Sequence, residues 1–264
     1  MKGFYLYCIT GETDSKFSEE GMGGGEVFTI PYQDLRAIVS EVSLEEFGSE
    51  EIQKKAQEDL NWIKEKAQIH EEVIERAMGK STNQLVSVIP MQFGVIFKTK
   101  EKLEETLSKN LEKFRKRLEY LTGKQEWGVK AFLNQKVFKE FLEKGSEEVL
   151  AKKKKAESLP KGMAFFAKKQ AVSQINEIKE KELDKITGEI HESLSQLAAS
   201  SNKAKILEKD FTGKIEQMIL NSFYLIEETK LNDFQKKVEE LKEKYNGKGI
   251  VIEMSGPWPS YHFA

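Results

Sequence analysis

"EQMILNSFYLIEETKLNDFQKKVEELKEKYNGKGIVIEMSG" runs from Glu216 to Gly256, and its apolar residues change period twice. Glu216–Glu228 is dense in aromatic and branched residues and predicts a strand. Leu231, Phe234, Val238, Leu241 and Tyr245 then step by 3, 4, 3 and 4, which lines one face of a helix. "NGKG" ends that helix, because glycine readily takes the left-handed cap conformation. Ile250–Gly256 predicts the returning strand. A β-α-β crossover of this kind is right-handed and sets its two strands parallel.

Working outward, the other segments mix the same elements without strict βαβ alternation, which predicts an α+β fold. Gly3–Thr10 ("GFYLYCIT"), "EVFTI" and Leu35–Val42 read as strands. The glycine-rich "GMGGG" opens onto a strand, not a helix N-terminus, so it reads as a flexible loop and not as a phosphate cradle. Ile52, Ala56, Leu60, Ile63, Ala67, His70, Ile74 and Ala77 form one long helical stripe, with Ser49 as a candidate N-cap. Asn83–Phe97 is strand-like, interrupted by Pro90 and Gly94. Leu103, Leu107, Leu111, Phe114, Leu118 and Leu121 mark another amphipathic helix, stopped by Gly123.

A second unit starts with a strand at Lys124–Asn134 and a helix from about Gln135. From Gly145 to Pro160 charge dominates. "KKKK" at 152–155 is flanked by Glu147, Glu148 and Glu157, which favours a solvated linker or helix face over an RNA contact. Ala164, Ala167, Ala171, Ile175 and Ile178 step by 3, 4, 4 and 3; Leu183, Ile186, Ile190, Leu194 and Leu197 repeat the spacing after a reset of five. This predicts a long coiled-coil-like arm over about 146–200, folded as an antiparallel hairpin within the chain. The expected domains are therefore 1–122 and 123–264, the second carrying the arm and a tail at 255–264.

Across 264 residues the 42 basic and 44 acidic side chains nearly cancel, so no global field draws the chain to nucleic acid or an anionic membrane. The single Cys8 excludes an intramolecular disulfide, leaves no expectation of a disulfide-linked partner and fits a reducing cytosol. No apolar stretch approaches the roughly 18–20 residues that span a bilayer, and the N-terminus lacks a signal-peptide pattern. The expectation is a cytoplasmic protein.

Chemistry-bearing clusters are sparse. "HEEVIE" at His70 lacks the second His of a zinc-protease helix, since Ile74 stands there. His70 falls on the apolar stripe and reads as a hydrogen-bonded core histidine. His191 reads as a surface residue, and Cys8 as an inert buried thiol. No residue set combines a nucleophile, a base and an oxyanion donor. The expectation is a non-enzyme with no catalytic residue, no metal and no cofactor.

The chain ends in "SGPWPSYHFA", Ser255–Ala264. Ordering ten backbones costs on the order of 10–20 kcal/mol, and burying Trp258, Tyr261 and Phe263 returns roughly 2–3 kcal/mol each. Backbone hydrogen bonds and continuous packing must supply the rest. The reading favoured is a tail docked on the second domain with Trp258 as its anchor; the alternative is a tail docked on a partner.

This ending resembles the G-P-W-P-P-Y-x-F terminus of the gas vesicle protein F/L family. "YLYCIT", "VSVIPMQFGVIF", "KQEWGVKAF", "GMAFFAKKQ" and "LNSFYLIEE" resemble further family segments in the same order. The motif residues are then Gly256, Pro257, Trp258, Pro259, Tyr261 and Phe263 in the tail, with Pro90, Phe93, Gly94 and Phe97 in the earlier segment. Ser260, Gln92 and Phe166 depart from the pattern, replacing a proline, an arginine and a leucine. The resemblance implies two α+β domains, the first ferredoxin-like and the second with a helical hairpin. It also implies a non-enzymatic accessory protein, located at the gas vesicle, that binds the small, very hydrophobic shell protein or other accessory proteins during nucleation and assembly. A small-molecule-responsive module on a ferredoxin-like domain is the competing reading.

Overall fold

Strand β1 (Lys2–Thr10) buries Tyr5, Leu6, Tyr7, Cys8 and Ile9 in succession, so both of its faces need cover. It accordingly lies inside a sheet, not at an edge. The neighbours are β3 (Leu35–Ser43) and β4 (Val88–Pro90), with β2 (Val27–Tyr32) beyond β3, giving the order β2-β3-β1-β4. The pairs are antiparallel, with Tyr5 opposite Ser40 and Ile9 opposite both Ala37 and Ile89. The two-residue β5 (Ile96–Phe97) adds to β1 through Phe4 and Tyr5.

The computed structural model describes residues 1–11, 17, 20–79, 85–145, 149–151, 154 and 161–264, without the side chains of 49, 50, 53, 56, 161–168, 171, 210 and 211. Most of the charged stretch 145–160, most of "KKKK" and the side chains at 162–168 of "GMAFFAKKQ", Phe166 among them, lie outside that description. The chain divides into two compact units. One is Met1–Glu126 together with Pro257–Ala264; the other is Trp127–Gly256. The division thus falls inside a strand, not at Gly123, and the tail belongs to the first unit. The expectation that it closes the second domain is corrected.

In the first unit, α1 (Leu44–Phe47), α2 (Ser49–Glu58) and α3 (Leu60–Ala77) follow β3. The single helix expected from Glu50 breaks at Asp59. Its backbone is extended, and its carboxylate accepts hydrogen bonds from the N–H groups of Asn61 and Trp62, both at 3.0 Å. Asp59 therefore caps a new helix. Ser49 is the first helical residue of α2, and the cap position falls on Gly48. Of the stripe, Ile52, Ile74 and Ala77 share a core with Tyr5, Tyr7 and Val88 and His70 is buried against the two tyrosines, while Leu60 is 69% exposed. Helix α4 (Lys100–Leu121) buries Leu103, Leu107, Leu118 and Leu121 and packs along β1, β4 and β5.

The glycine-rich segment is an ordered turn, not a free loop. Met22 is fully buried, its N–H donates to the Tyr7 hydroxyl at 2.6 Å, and Gly21 N–H donates to the Gly25 carbonyl. A Cβ on Gly21 would meet Ser40 Oγ at 2.1 Å and Tyr7 Oη at 2.7 Å, so only glycine lets the backbone come this close.

The second unit contains β6 (Lys124–Leu133, from Trp127 on), α5 (Gln135–Gly145), α6 (Lys161–Ser195), β7 (Ser200–Lys203), β8 (Gln217–Glu227), α7 (Leu231–Asn246) and β9 (Ile250–Trp258, to Gly256). The sheet order is β7-β8-β6-β9. Strands β8 and β9 are joined by α7 as the opening segment predicts, but β6 lies between them, so they are not hydrogen-bonded neighbours. Alternate residues Val129, Ala131 and Leu133 of β6 face a core built with Leu220, Tyr224, Phe234, Val238 and Ile252. In both units the sheet order, counted from each unit's own first strand, is second-third-first-fourth. That is the order of a split β-α-β sheet. In the first unit the described part of the connection from β1 to β2 contains the glycine turn.

Helix α6 runs as one element of 35 residues through the five-residue reset. Leu183, Ile186, Ile190 and Leu194 lie in the core of the second unit, whereas Val172 is 58% exposed. Its later half is therefore a packed core helix. Among the described residues no second long helix pairs with it as a hairpin.

Candidate functional site

The earlier motif segment, and the tail motif from Pro257 on, fold within the first unit. The earlier one is organised by a buried histidine. His70, 4% exposed, donates from Nε2 to the Met91 carbonyl at 3.0 Å, and a carbonyl can only accept. Nδ1 is then unprotonated and accepts from the Tyr5 hydroxyl at 2.9 Å, while Tyr5 Oη accepts the N–H of Gly94 at 3.1 Å. The chain of bonds Gly94–Tyr5–His70–Met91 ties α3 and β1 to the segment containing Pro90, Phe93, Gly94 and Phe97. Phe93 stands edge-on to His70 and Tyr5, Tyr7 stacks on His70 at 5.8 Å, and Gly94 has φ +88°, where a side chain would be strained.

Burial holds the His70 imidazolium pKa down at about 4, against the weaker pull of its bond to Met91. Burial likewise raises the Tyr5 and Tyr7 phenols, and Cys8, fully buried, has its thiol pushed up for the same reason. These groups stay neutral through the physiological range. With every polar atom of the His70 ring bonded, the cluster acts as a structural lock. Gln92, where the family pattern has arginine, is exposed beside it.

The tail makes the second arrangement. After Trp258 the chain turns tightly: the Ser260 carbonyl accepts from the N–H groups of Phe263 and Ala264. Only the Ser260 carbonyl is used there, so serine serves in these two bonds as a proline would. Glu126, 1% exposed, takes the turn with both oxygens. Oε2 accepts the His262 N–H at 3.0 Å and Oε1 faces His262 Nδ1 at 2.7 Å. Arg117 Nη1 donates to the Phe263 carbonyl at 2.8 Å, and Tyr261 Oη donates to Glu71 at 2.8 Å. Pro259, Ser260 and Phe263 are buried; Gly256, Pro257 and Trp258 are half-buried. Trp258 is therefore not the main anchor. As the last residue of β9 its position follows the strand, and the turn after it carries Phe263 inward.

Expected stabilities reverse the order read from the sequence. Phe263→Ala is expected to cost about 3 kcal/mol, the low end for a buried Phe. Trp258→Ala is expected to cost about 1–2 kcal/mol, less than a full burial, because its ring stays partly in solvent. Urea unfolding followed by circular dichroism checks the order; a larger loss at Trp258 would refute it.

The sequence did not signal Glu126, Arg117, Glu71, Tyr5 or Tyr7. The one clue was an acid inside the apolar strand pattern "KQEWGVKAF". His191, read as a surface residue, is half-buried: its Nδ1 lies 3.1 Å from the Tyr224 hydroxyl, and burial lowers its pKa. Among the described residues no group of three or more His, Cys, Asp or Glu side chains is placed to hold a metal ion, and no helix is long and apolar enough to cross a membrane.

A model of the gas vesicle synthesis protein GvpL/GvpF family matches residues 3–264. The chain belongs to this family. Gas vesicle protein L of Streptomyces sp. (strain CB03234) is 22% identical over 262 residues, covering 98% of this chain and 92% of the relative. Gas vesicle protein F1 of Halobacterium salinarum is 24% identical over 263 residues, covering 99% and 92%. The crystal structure of GvpF from Anabaena sp. PCC7120 has a TM-score of 0.72 at 20% identity, with 100% of this chain and 98% of that one covered. GvpF from Microcystis aeruginosa gives 0.67 at 18% identity, over 99% and 98%. The fold of this chain is thus similar to that of GvpF over nearly the full length of both structures.

Proposed function

We propose that this GvpL/GvpF member is a gas vesicle accessory protein that binds the hydrophobic shell protein, or other accessory proteins, while the vesicle is nucleated and assembled in the cytoplasm. The observation that carries this reading is the family match along 3–264, with no large part of the chain left to another role. The physical need is simple. A small subunit made mostly of apolar surface aggregates before it reaches a shell, because exposed apolar patches associate. A chain whose 42 basic and 44 acidic residues nearly cancel can cover such a patch without attracting nucleic acid or anionic membrane. In this reading it acts by binding and release, with no catalytic step.

Co-expression tests it. The shell subunit is expected to stay in the supernatant, or to co-purify, when this protein is present, and to pellet without it. Equal pelleting in both cases would refute the reading.

A further inference from the structure

The docked tail has the form of a bound peptide. The side chains that hold it lie far from it in sequence: Glu71 on α3, Arg117 on α4 and Glu126 on β6. What they recognise is concentrated in three consecutive residues: the Tyr261 hydroxyl, the His262 N–H and imidazole, and the Phe263 carbonyl. The Phe263 ring is 7% exposed beside these polar contacts. The tail joins the rest of the chain at Gly256, whose φ of +140° is a conformation that glycine alone tolerates easily. The division between the units falls at that residue, and the tight turn that docks the tail follows the end of β9 at Trp258.

We propose that the first unit carries a docking site for a C-terminal peptide, which the chain's own tail fills and which the tail of a second copy of this chain can fill in its place. The second copy carries the same ligand by construction, so the contacts just described are available to it unchanged. The site also favours being filled. With the tail in place Glu126 is 1% exposed and its carboxylate accepts both donors of His262, bonds that an empty site gives up. A tethered tail meets its site at an effective concentration in the millimolar range, so the copy's own tail prevails in dilute solution. Exchange between copies follows where the protein is locally concentrated, and reciprocal exchange joins two copies.

The test uses a synthetic Pro257–Ala264 peptide, fluorescein-labelled at its N-terminus, and the chain ending at Gly256. Saturable one-to-one binding is expected by fluorescence anisotropy. Glu126→Gln in the truncated chain is expected to weaken it roughly ten- to a hundredfold, the size of charge-assisted hydrogen bonds lost. Absence of saturable binding up to about 1 mM peptide, in a truncated chain with native circular dichroism, would overturn the site. Unchanged affinity in Glu126→Gln would do the same. If truncation unfolds the protein, full-length Phe263→Ala, whose own tail is weakened, takes the peptide measurement instead, with the same two outcomes. For exchange, two full-length copies with tags of different mass are mixed and followed by light scattering. A mixed dimer growing with concentration, and lost in Glu126→Gln, is expected; monomers alone at about 1 mM chain would overturn the exchange.

Discussion

Ile190→Asp is expected to unfold the second unit. Ile190 is fully buried in α6, and Ile186 beside it is 2% exposed; both share a core with Tyr224, Phe234 and Val238. Removing a buried isoleucine costs about 2–5 kcal/mol through lost transfer energy and the cavity left behind. A carboxylate at the same place must also be protonated or solvated, which adds several kcal/mol more. The sum is comparable to the roughly 5–15 kcal/mol that a whole domain has in hand. Hydrogen exchange should show the β8 amides, Gln217–Glu227, losing protection. Val172→Asp on the same helix is the control: at 58% exposed it should shift stability by less than about 0.5 kcal/mol. An Ile190→Asp chain that melts like the wild type would show that this stripe is not a core.

The comparison of these two positions also shows what a sequence can and cannot convey about α6. Both halves of the helix carry the same 3-4-4-3 stripe, so spacing alone gave them one fate as an arm. Among the described side chains, Leu183, Ile186, Ile190 and Leu194 of the second half lie in the core of the second unit. Periodicity reports that a face is apolar, and the partner of that face depends on the rest of the chain. Strands with dense aromatic and branched residues, such as β1, β3 and β8, were legible because their composition is decisive. β7, "SSNK", was not. It has no apolar alternation and exists because Ala199 N–H and Ala204 N–H are held by the carbonyls of Leu225 and Asn221 on the neighbouring strand. Asp59 was hidden for a different reason: a capping carboxylate in the middle of an unbroken stripe looks like any solvated acid. The tail was legible as an ordered element but not in its destination. Its partners Glu71, Arg117 and Glu126 are ordinary surface residue types, brought to it only by the fold. His70 was the reverse case, since a histidine on an apolar stripe must find bonding partners inside.

That histidine gives the first unit a dependence on acid. Folded His70 has a pKa of about 4, below the 6.5 of the unfolded chain. Between those values the unfolded state binds the proton and the folded state refuses it, so stability falls as pH falls. The contribution is whole above pH 6.5, is lost progressively towards pH 4, and amounts to about 3 kcal/mol at its limit, from about 1.4 kcal/mol for each pKa unit. His70→Gln is the informative variant. Its amide can donate to the Met91 carbonyl and accept from Tyr5, as the neutral imidazole does, but it cannot take a proton. The variant should lose some stability at pH 7.5 from altered packing against Tyr7 and Phe93, and should then fall less steeply than the wild type between pH 6.5 and 4.5. Urea midpoints measured across that range give the two curves. The remaining titrating groups, including His191 with its own lowered pKa, are present in both proteins, so the difference between the curves reports His70. Parallel curves would mean that His70 takes up its proton as easily in the folded unit as in the unfolded chain, and the Gly94–Tyr5–His70–Met91 lock would have to be abandoned.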